Sequence, residues 1–396
     1  MIAVEIAFWL AALAVVYTYF LYPLLLMALS AVRQVRADLR YISQGGSRRP
    51  EALDSHALPT VAVLVAAYNE ERHIAERIRN LLALDYPADR LRIYIGSDGS
   101  SDATNRLVDE ARHERIVFRR FEQRRGKPSV INDLAALAQE EILVFTDANT
   151  SFEPDAVTRL VRHFHDPAIG CVSGELRLVA GAGTENPDNV YWRYERMLKF
   201  FEGRLGALLG ANGGVYALRR QHYRPIPPDT IVDDFSISVD LIEQGLRCHY
   251  DPEARATEEI PPRIGDEFRR RVRIGIGNYQ AFRRHFGLLH PRHGYAALAF
   301  FSHKCLRWFA PHCMVIALVA NALLATGGQT LWLALLALQL AFYLLAGAGH
   351  LAGRSGSVPR ALRLPVFFVS MNMALLIGYF RYLGGGFSGA WSRSAR

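Results

Sequence analysis

Hydrophobic residues along this chain follow two rhythms. Between residues 60 and 150, short unbroken apolar runs alternate with segments of helical spacing. "TVAVLVAA" (60–67), "LRIYIGSD" (91–98), "RIVFRRFE" (115–122) and "EILVFTD" (141–147) read as strands. The first, without polar alternation, suits a strand buried on both faces, as in a parallel sheet. Between these runs, Ile74, Ile78, Leu81 and Leu82 recur at helical spacing. "GSSDATNRLVDEARH" opens a helix behind serine and aspartate caps, and "KPSVINDLAALAQ" supplies a third helix. This alternation predicts an α/β fold with a doubly wound, mostly parallel sheet of Rossmann type. Such sheets bind ligands beyond the C-terminal ends of their strands.

The second rhythm is long and apolar. Ala3 to Leu29 carries a single charge, Glu5, and Trp308–Ala325, Leu331–Ala348 and Leu362–Tyr379 are similar stretches. About 20 such residues span a bilayer core. A cleaved signal peptide is the competing reading of the first stretch, with "ALSA" (28–31) as its cleavage site. The start "MIAVE" has no Lys or Arg and the run is too long, which favours a retained anchor. Two further stretches, 190–210 and 267–290, mix aromatics with arginines and read as helices lying in the membrane interface. The plainer reading of both is an amphipathic core helix. The expected organisation is an N-terminal anchor (1–32), a linker (33–59), the α/β domain (60–260), interfacial helices (261–304), C-terminal spans (305–385) and a tail (386–396).

Charge orients this plan. Arg33, Arg36 and Arg40 follow the first span, and Lys304 and Arg307 precede the second. Both flanks face the α/β domain, so the expectation is a multi-pass protein of the cell (inner) membrane with that domain in the cytoplasm. One anchor and three later spans put both termini outside, whereas the basic tail "WSRSAR" prefers the cytoplasm, and the sequence leaves that conflict open. The net charge is +8, but the basic residues crowd around the membrane segments. That pattern fits membrane lipids and phosphorylated small molecules, and excludes nucleic acid as the expected partner. The four cysteines form no C-x-x-C pair and read as reduced thiols.

The candidate chemistry sits at strand ends. "AAYNE" ends the first strand, "GSDGSSD" the second, "RRGK" follows the third and "TDAN" ends the fourth, all on one rim of the sheet. Each alone is an ordinary turn or helix cap, and Lys127 alone is an ordinary loop lysine. Together they suit a nucleotide-sugar. A leaving diphosphate needs its charge neutralised, and Mg²⁺ or Mn²⁺ does this through oxygen ligands. Asp147 supplies a charged ligand and Asn149 a neutral one; Lys127 adds positive charge. Asp233 and Asp234 stand at the entry to a helix, where acids are also routine caps. An acid there can serve as the base that takes a proton from an acceptor hydroxyl. Gly174, Glu175, Asn212 and Gly213 lie in "GELRL" and "GANGGVYALRR", glycine-bearing segments that allow close approach of a sugar or serve simply as turns.

These motifs make the chain resemble a membrane-embedded family 2 glycosyltransferase of GT-A fold, the group that contains cellulose, chitin, hyaluronan and poly-N-acetylglucosamine synthases. The resemblance covers about residues 1 to 380. It implies an inverting, metal-dependent transfer of a sugar from a UDP-sugar to a membrane-associated glycan or lipid-linked acceptor, in cell-surface or exopolysaccharide synthesis. Ala67, Tyr68, Glu70, Asp98, Lys127 and Asp147 would bind the nucleotide, and Asp147 and Asn149 the cation. Asp234 would be the base, with Gly174, Glu175, Asn212, Gly213, Asp233, Arg270 and Arg273 around the donor and acceptor. It leaves room for polysaccharide-export partners. Two departures stand out. "TDAN" replaces the second acid of the family's Asp-x-Asp. The stretch 270–274 keeps Arg273 but has Ile274 where the family often carries a Trp on which the acceptor sugar stacks. A single addition or short product is therefore favoured. A processive synthase–transporter remains the alternative, with Trp192 or Trp308 as its platform, and a non-catalytic nucleotide-binding scaffold is a third reading.

Overall fold

A computed structural model describes residues 1–44, 58–179, 189–259, 264–355 and 358–385. Contacts divide these into an α/β unit, drawn mainly from Leu26–Pro262, and a helical unit drawn from Met1–Leu25, Arg263–Arg283 and Phe300–Gly386.

The α/β unit is built on one sheet of eight strands: β1 (Val61–Ala67), β2 (Leu91–Asp98), β3 (Ile116–Phe121), β4 (Ile142–Asp147), β5 (Thr150–Phe152), β6 (Ile169–Val179), β7 (Tyr216–Arg219) and β8 (Arg247–Glu259). Their order is β3-β2-β1-β4-β7-β6-β8-β5. The first four strands pair in parallel, as the strand–helix alternation predicts. Every residue of β1 is buried. β7 then enters antiparallel between β4 and β6, and β5 lies antiparallel on β8. The register sets Ala66 beside Asp147, Ala67 beside Ser97, and Asp98 beside Phe121. The ends of β1 to β4 therefore form one rim. β7 runs the other way, so the loop before it, Gly210–Gly214, reaches the same rim.

Helix packing fixes that rim. The helix Lys127–Leu137 starts with Pro near its first position, where the missing N–H costs nothing. It buries Val130, Ile131 and Leu134. A side chain at Gly96 would stand 2.4 Å from Val130 Cγ1, so β2 and this helix meet where only glycine fits. Helix Ile74–Leu82 packs Ile74, Ile78 and Leu81 into the core as predicted. The helix Asp233–Glu243 ends at Gly245, whose φ of 88° suits glycine.

Two expectations need correction. Residues 33–44, assigned to the linker, belong to a helix that runs Tyr22–Gln44. Val32, Val35, Leu39 and Ile42 keep helical spacing there, and neither Gly nor Pro interrupts before Gly45. The remainder of the expected linker, 45–57, and the tail lie outside the described residues. The segment 190–210 is the second case. Its helix, Asn189–Leu205, buries Leu198, Glu202 and Leu205, and Gly203 lies against Tyr250 of β8. It is a core helix of the α/β unit, the plainer of the two readings.

The helical unit contains most of the other apolar stretches. Among the described residues four helices are long and apolar enough to cross a membrane: Ile2–Ser43, Tyr295–Ala325, Thr330–Gly353 and Arg360–Gly384. The second begins ten residues before the expected boundary at 305. Phe8, Ala11, Ala317, Ala320, Leu324 and Trp332 form a small internal cluster. Large apolar side chains such as Leu338, Leu344 and Leu351 point outward, a surface stable in lipid rather than water. Helix Ile264–Arg284 meets helix Arg360–Gly384 at Gly275 and Gly378, with backbones in direct contact. All four cysteines are free thiols.

The contact at Gly96 gives a test of the helix seat. Gly96→Ala should cost about 1–3 kcal/mol by overpacking, read as a fall in melting temperature in detergent. Adding Val130→Ala removes the obstructing methyl and should recover part of the loss. A double variant no better than the single one would contradict this packing.

Candidate active site

The loop between β3 and helix Lys127–Leu137 crosses the rim and is tied down by Asp98. The Asp98 carboxylate, fully buried, accepts from the backbone N–H of Arg125 at 2.7 Å and of Gly126 at 2.8 Å. Gly126 turns the chain into the helix with a φ of 90°, open to glycine alone. Asp98, expected to touch a nucleoside, thus also has a structural task. On the other side of the loop, the Arg124 guanidinium covers the ring of Tyr68 at 3.9 Å. Next to Tyr68, Asn69 adopts a φ of 54°, and its Oδ1 accepts from the Ser101 N–H. The Glu70 N–H donates to Thr104 Oγ1 at 2.8 Å. These bonds lock the first two strand-end loops together.

Lys127 lies at the centre. Its Nζ donates to Asp147 Oδ1 at 2.7 Å and stands 3.2 Å from Asp233 Oδ2. The second contact is an ion pair without hydrogen-bond alignment, and Asp233 Oδ2 has no other hydrogen-bond partner. Burial works against the ammonium, yet the charges of Asp147 and Asp233 more than offset it, so Lys127 stays protonated well above its ordinary range. Asp234 is next in the chain. Burial and the charge of Asp233 push its pKa up to about 6, against the opposing pull of Lys127. Its Oδ1 accepts from the Phe235 N–H, and its Oδ2 lies where a side chain at Gly213 would intrude, at 3.0 Å. The five positions 127, 147, 213, 233 and 234 are therefore brought together.

The other predicted positions divide. Asn212 is gripped by three neighbours: its Oδ1 accepts from Lys199, its Nδ2 donates to the Gly174 carbonyl, and its N–H donates to Ser173 Oγ. Gly174 lacks a side chain because the Ala254 carbonyl would be 2.3 Å from it, beside a break in register of β6 on β8. Glu175 is buried and paired with Arg196 at 2.8 Å. Ala67 is a core residue at the end of β1. Arg270 and Arg273 belong to the helical unit, on helix Ile264–Arg284. Trp308 is only 6% exposed and packs edge-on with Phe300, leaving no open face for stacking.

Two residues near the rim escaped the sequence reading. Arg77 is 3% exposed, and it donates to Asn80 Oδ1 and to Thr146 Oγ1, at 2.5 and 2.6 Å, with Phe152 under its guanidinium. Burial lowers its pKa to about 9, partly opposed by the charge of Asp147. Asn80 in turn bonds both backbone groups of Phe152 at 2.9 Å. The turn Asp147–Asn149 is thus clamped on both sides. The signal was an arginine on the apolar stripe of Ile74, Ile78 and Leu81. The second is Glu258, whose Oε1 accepts from Asn149 Nδ2 at 3.0 Å.

Residues 62–223 match the model of the glycosyl transferase family 2. This defines a family 2 glycosyltransferase domain, and the chain carries it on a GT-A fold. The poly-beta-1,6-N-acetyl-D-glucosamine synthase of Staphylococcus aureus is 25% identical over 260 residues, 62% of this chain and 61% of that protein. An N-acetylglucosaminyltransferase of Rhizobium leguminosarum bv. viciae is 27% identical over 242 residues, 56% of each chain. The chain thus spans about three-fifths or less of the length of these curated relatives. Among solved structures, a mannosyltransferase of Pyrobaculum calidifontis in complex with GDP-Man and Mn²⁺ superposes with a TM-score of 0.66 at 23% identity, over 94% of this chain and 99% of that one. The family match ends before Asp233, Asp234 and Glu258, so those residues rest on geometry.

Asp98 permits a direct test. In Asp98→Asn one carboxylate oxygen becomes a donor facing another donor, which should cost about 1–3 kcal/mol. The loop should loosen, and trypsin should cut at Arg124 and Arg125 several-fold faster. Unchanged cleavage would remove Asp98 as the loop's anchor.

Proposed function

We propose that the protein is a membrane-bound inverting glycosyltransferase. It moves a sugar from a UDP-sugar to a membrane-associated glycan or lipid-linked acceptor, on the cytoplasmic side of a cell membrane. The observation that carries this reading is the pairing of opposite tasks on one rim. Asp147 holds a positive charge, while burial and the charge of Asp233 raise the pKa of Asp234 to about 6.

The donor set fits a divalent cation. Asp147 already binds a positive group, the Lys127 ammonium, and Asp147 with Asn149 presents only oxygen ligands. Among the described residues no three His, Cys, Asp or Glu side chains converge on a metal-binding point. The diphosphate of the donor would then complete the coordination, as is usual for Mg²⁺ or Mn²⁺. When bound, the cation would supply charge neutralisation for the leaving diphosphate. Lys127, the first residue of its helix, adds a positive charge at a helix N-terminus, where phosphates are favoured. Asp234 takes the acceptor hydroxyl's proton as the new glycosidic bond forms. A pKa near 6 leaves it ionised at neutral pH yet basic enough to accept that proton. Asp233 raises Asp234 by its charge and restrains Lys127.

The names of the curated relatives favour N-acetylglucosamine as the sugar. The lack of an aromatic at 274 and the burial of Trp308 favour a single addition or short product over a long polymer.

Asp234→Asn should lower transfer by about 10²–10⁴-fold, with UDP affinity within twofold of the parent. Retained transfer removes Asp234 as base. In the parent, kcat/KM should rise with pH and level off above a limb near 6, because the carboxylate must be ionised. Asp233→Asn removes the neighbouring negative charge and should move that limb to lower pH. A limb that stays in place would detach Asp233 from the proton transfer.

A further inference from the structure

Asn149 stands where a second acid would complete the strand-end pair, and its amide is not free to turn. Nδ2 is held by Glu258 Oε1 at 3.0 Å, which directs Oδ1 the opposite way. Glu258 is in an unusual position. Along β8, Ala254 and Ala256 are fully buried, and Glu258 is the next residue of that same inward face, itself 8% exposed. Strand alternation calls for an apolar side chain there. The register pairs Glu258 with Thr150, so β8 delivers the carboxylate directly behind the turn of Asp147 and Asn149.

We propose that Glu258 is a positioning residue for the cation. It orients the Asn149 amide and returns, one residue further from the ion, the negative charge that Asn149 lacks. A carboxylate accepting from an amide N–H polarises the amide and enriches its oxygen in negative charge, as outer partners do for metal-binding histidines. The inference rests on the reading that Asp147 and Asn149 hold the cation.

The test measures Mn²⁺ binding to the purified full-length protein with UDP present, by the loss of the free-ion electron paramagnetic signal, alongside melting temperature. Glu258→Gln keeps size and an acceptor oxygen but removes the charge, and should weaken Mn²⁺ about 10-fold with little change in melting. Asn149→Asp alone places two carboxylates about one hydrogen-bond length apart and should gain nothing. Asn149→Asp with Glu258→Gln moves the charge inward and should restore affinity to within about threefold of the parent, by the same reasoning. If Glu258→Gln lowers melting but leaves Mn²⁺ affinity unchanged, Glu258 is structural and the inference fails. If Glu258→Gln does not fold, the double variant decides alone: near-parental affinity supports the role, and affinity as weak as that of Asn149→Ala overturns it. Asp147→Ala separates the layers. Should that variant retain Mn²⁺, the cation reading itself is wrong. Should it lose Mn²⁺ while Glu258→Gln keeps it, only the role of Glu258 is lost.

Discussion

An ammonium group held between two carboxylates organises the rim of this sheet. Burying a charge costs several kcal/mol unless partners replace the lost water. Lys127 meets that condition with Asp147 at 2.7 Å and Asp233 at 3.2 Å. The three come from different parts of the chain: the start of one helix, the end of β4, and the start of another helix. Each position depends on packing elsewhere. Gly96 seats the first helix, Arg77 and Asn80 clamp the turn after β4, and Asp98 restrains the loop that delivers Lys127. The ion triad is therefore a sum of remote constraints. It also stores a competition. In the proposed reaction, Asp147 cannot serve Lys127 and a divalent cation equally, so donor binding would draw the lysine toward the diphosphate.

What could be read from the sequence follows from where each side chain is buried. β1 and β4 are apolar on both faces, and their runs reveal them directly, whereas β3 carries two exposed arginines and is read from its place in the alternation. Their polar ends are turn residues concentrated on one rim, so 98, 127, 147 and 149 stand out in the sequence itself. The second half of the sheet was harder. β5 has three residues, β7 four, and β8 carries charges along its length, so no periodic signal separates them from loops. Glu258 hid for that reason: its inward direction depends on the register against β5 and β6, which no local pattern reports. Arg77 hid differently, since an arginine on a helix is expected in solvent. The helix Asn189–Leu205 was misplaced because a buried Glu202 and a paired Arg196 look, in sequence, like a membrane-facing basic surface.

The same accounting separates roles among the expected site residues. Gly174 and Glu175 are explained by packing and by an ion pair without any sugar present. Asn212 is different, because its grip by Lys199, Gly174 and Ser173 orients a loop whose next residue, Gly213, leaves space directly beside Asp234. A side chain at 213 would press on the Asp234 carboxylate oxygen at 3.0 Å. In the proposed reaction the glycine there serves access to the base, where the glycine at 174 serves packing. That distinction bears on product length. In the proposed transferase, isoleucine at 274 and the burial of Trp308 remove two aromatic surfaces on which an acceptor sugar would remain. Residence on such a surface is what lets one chain accept many additions. The proposed transferase is thus better matched to releasing its product than to extending it.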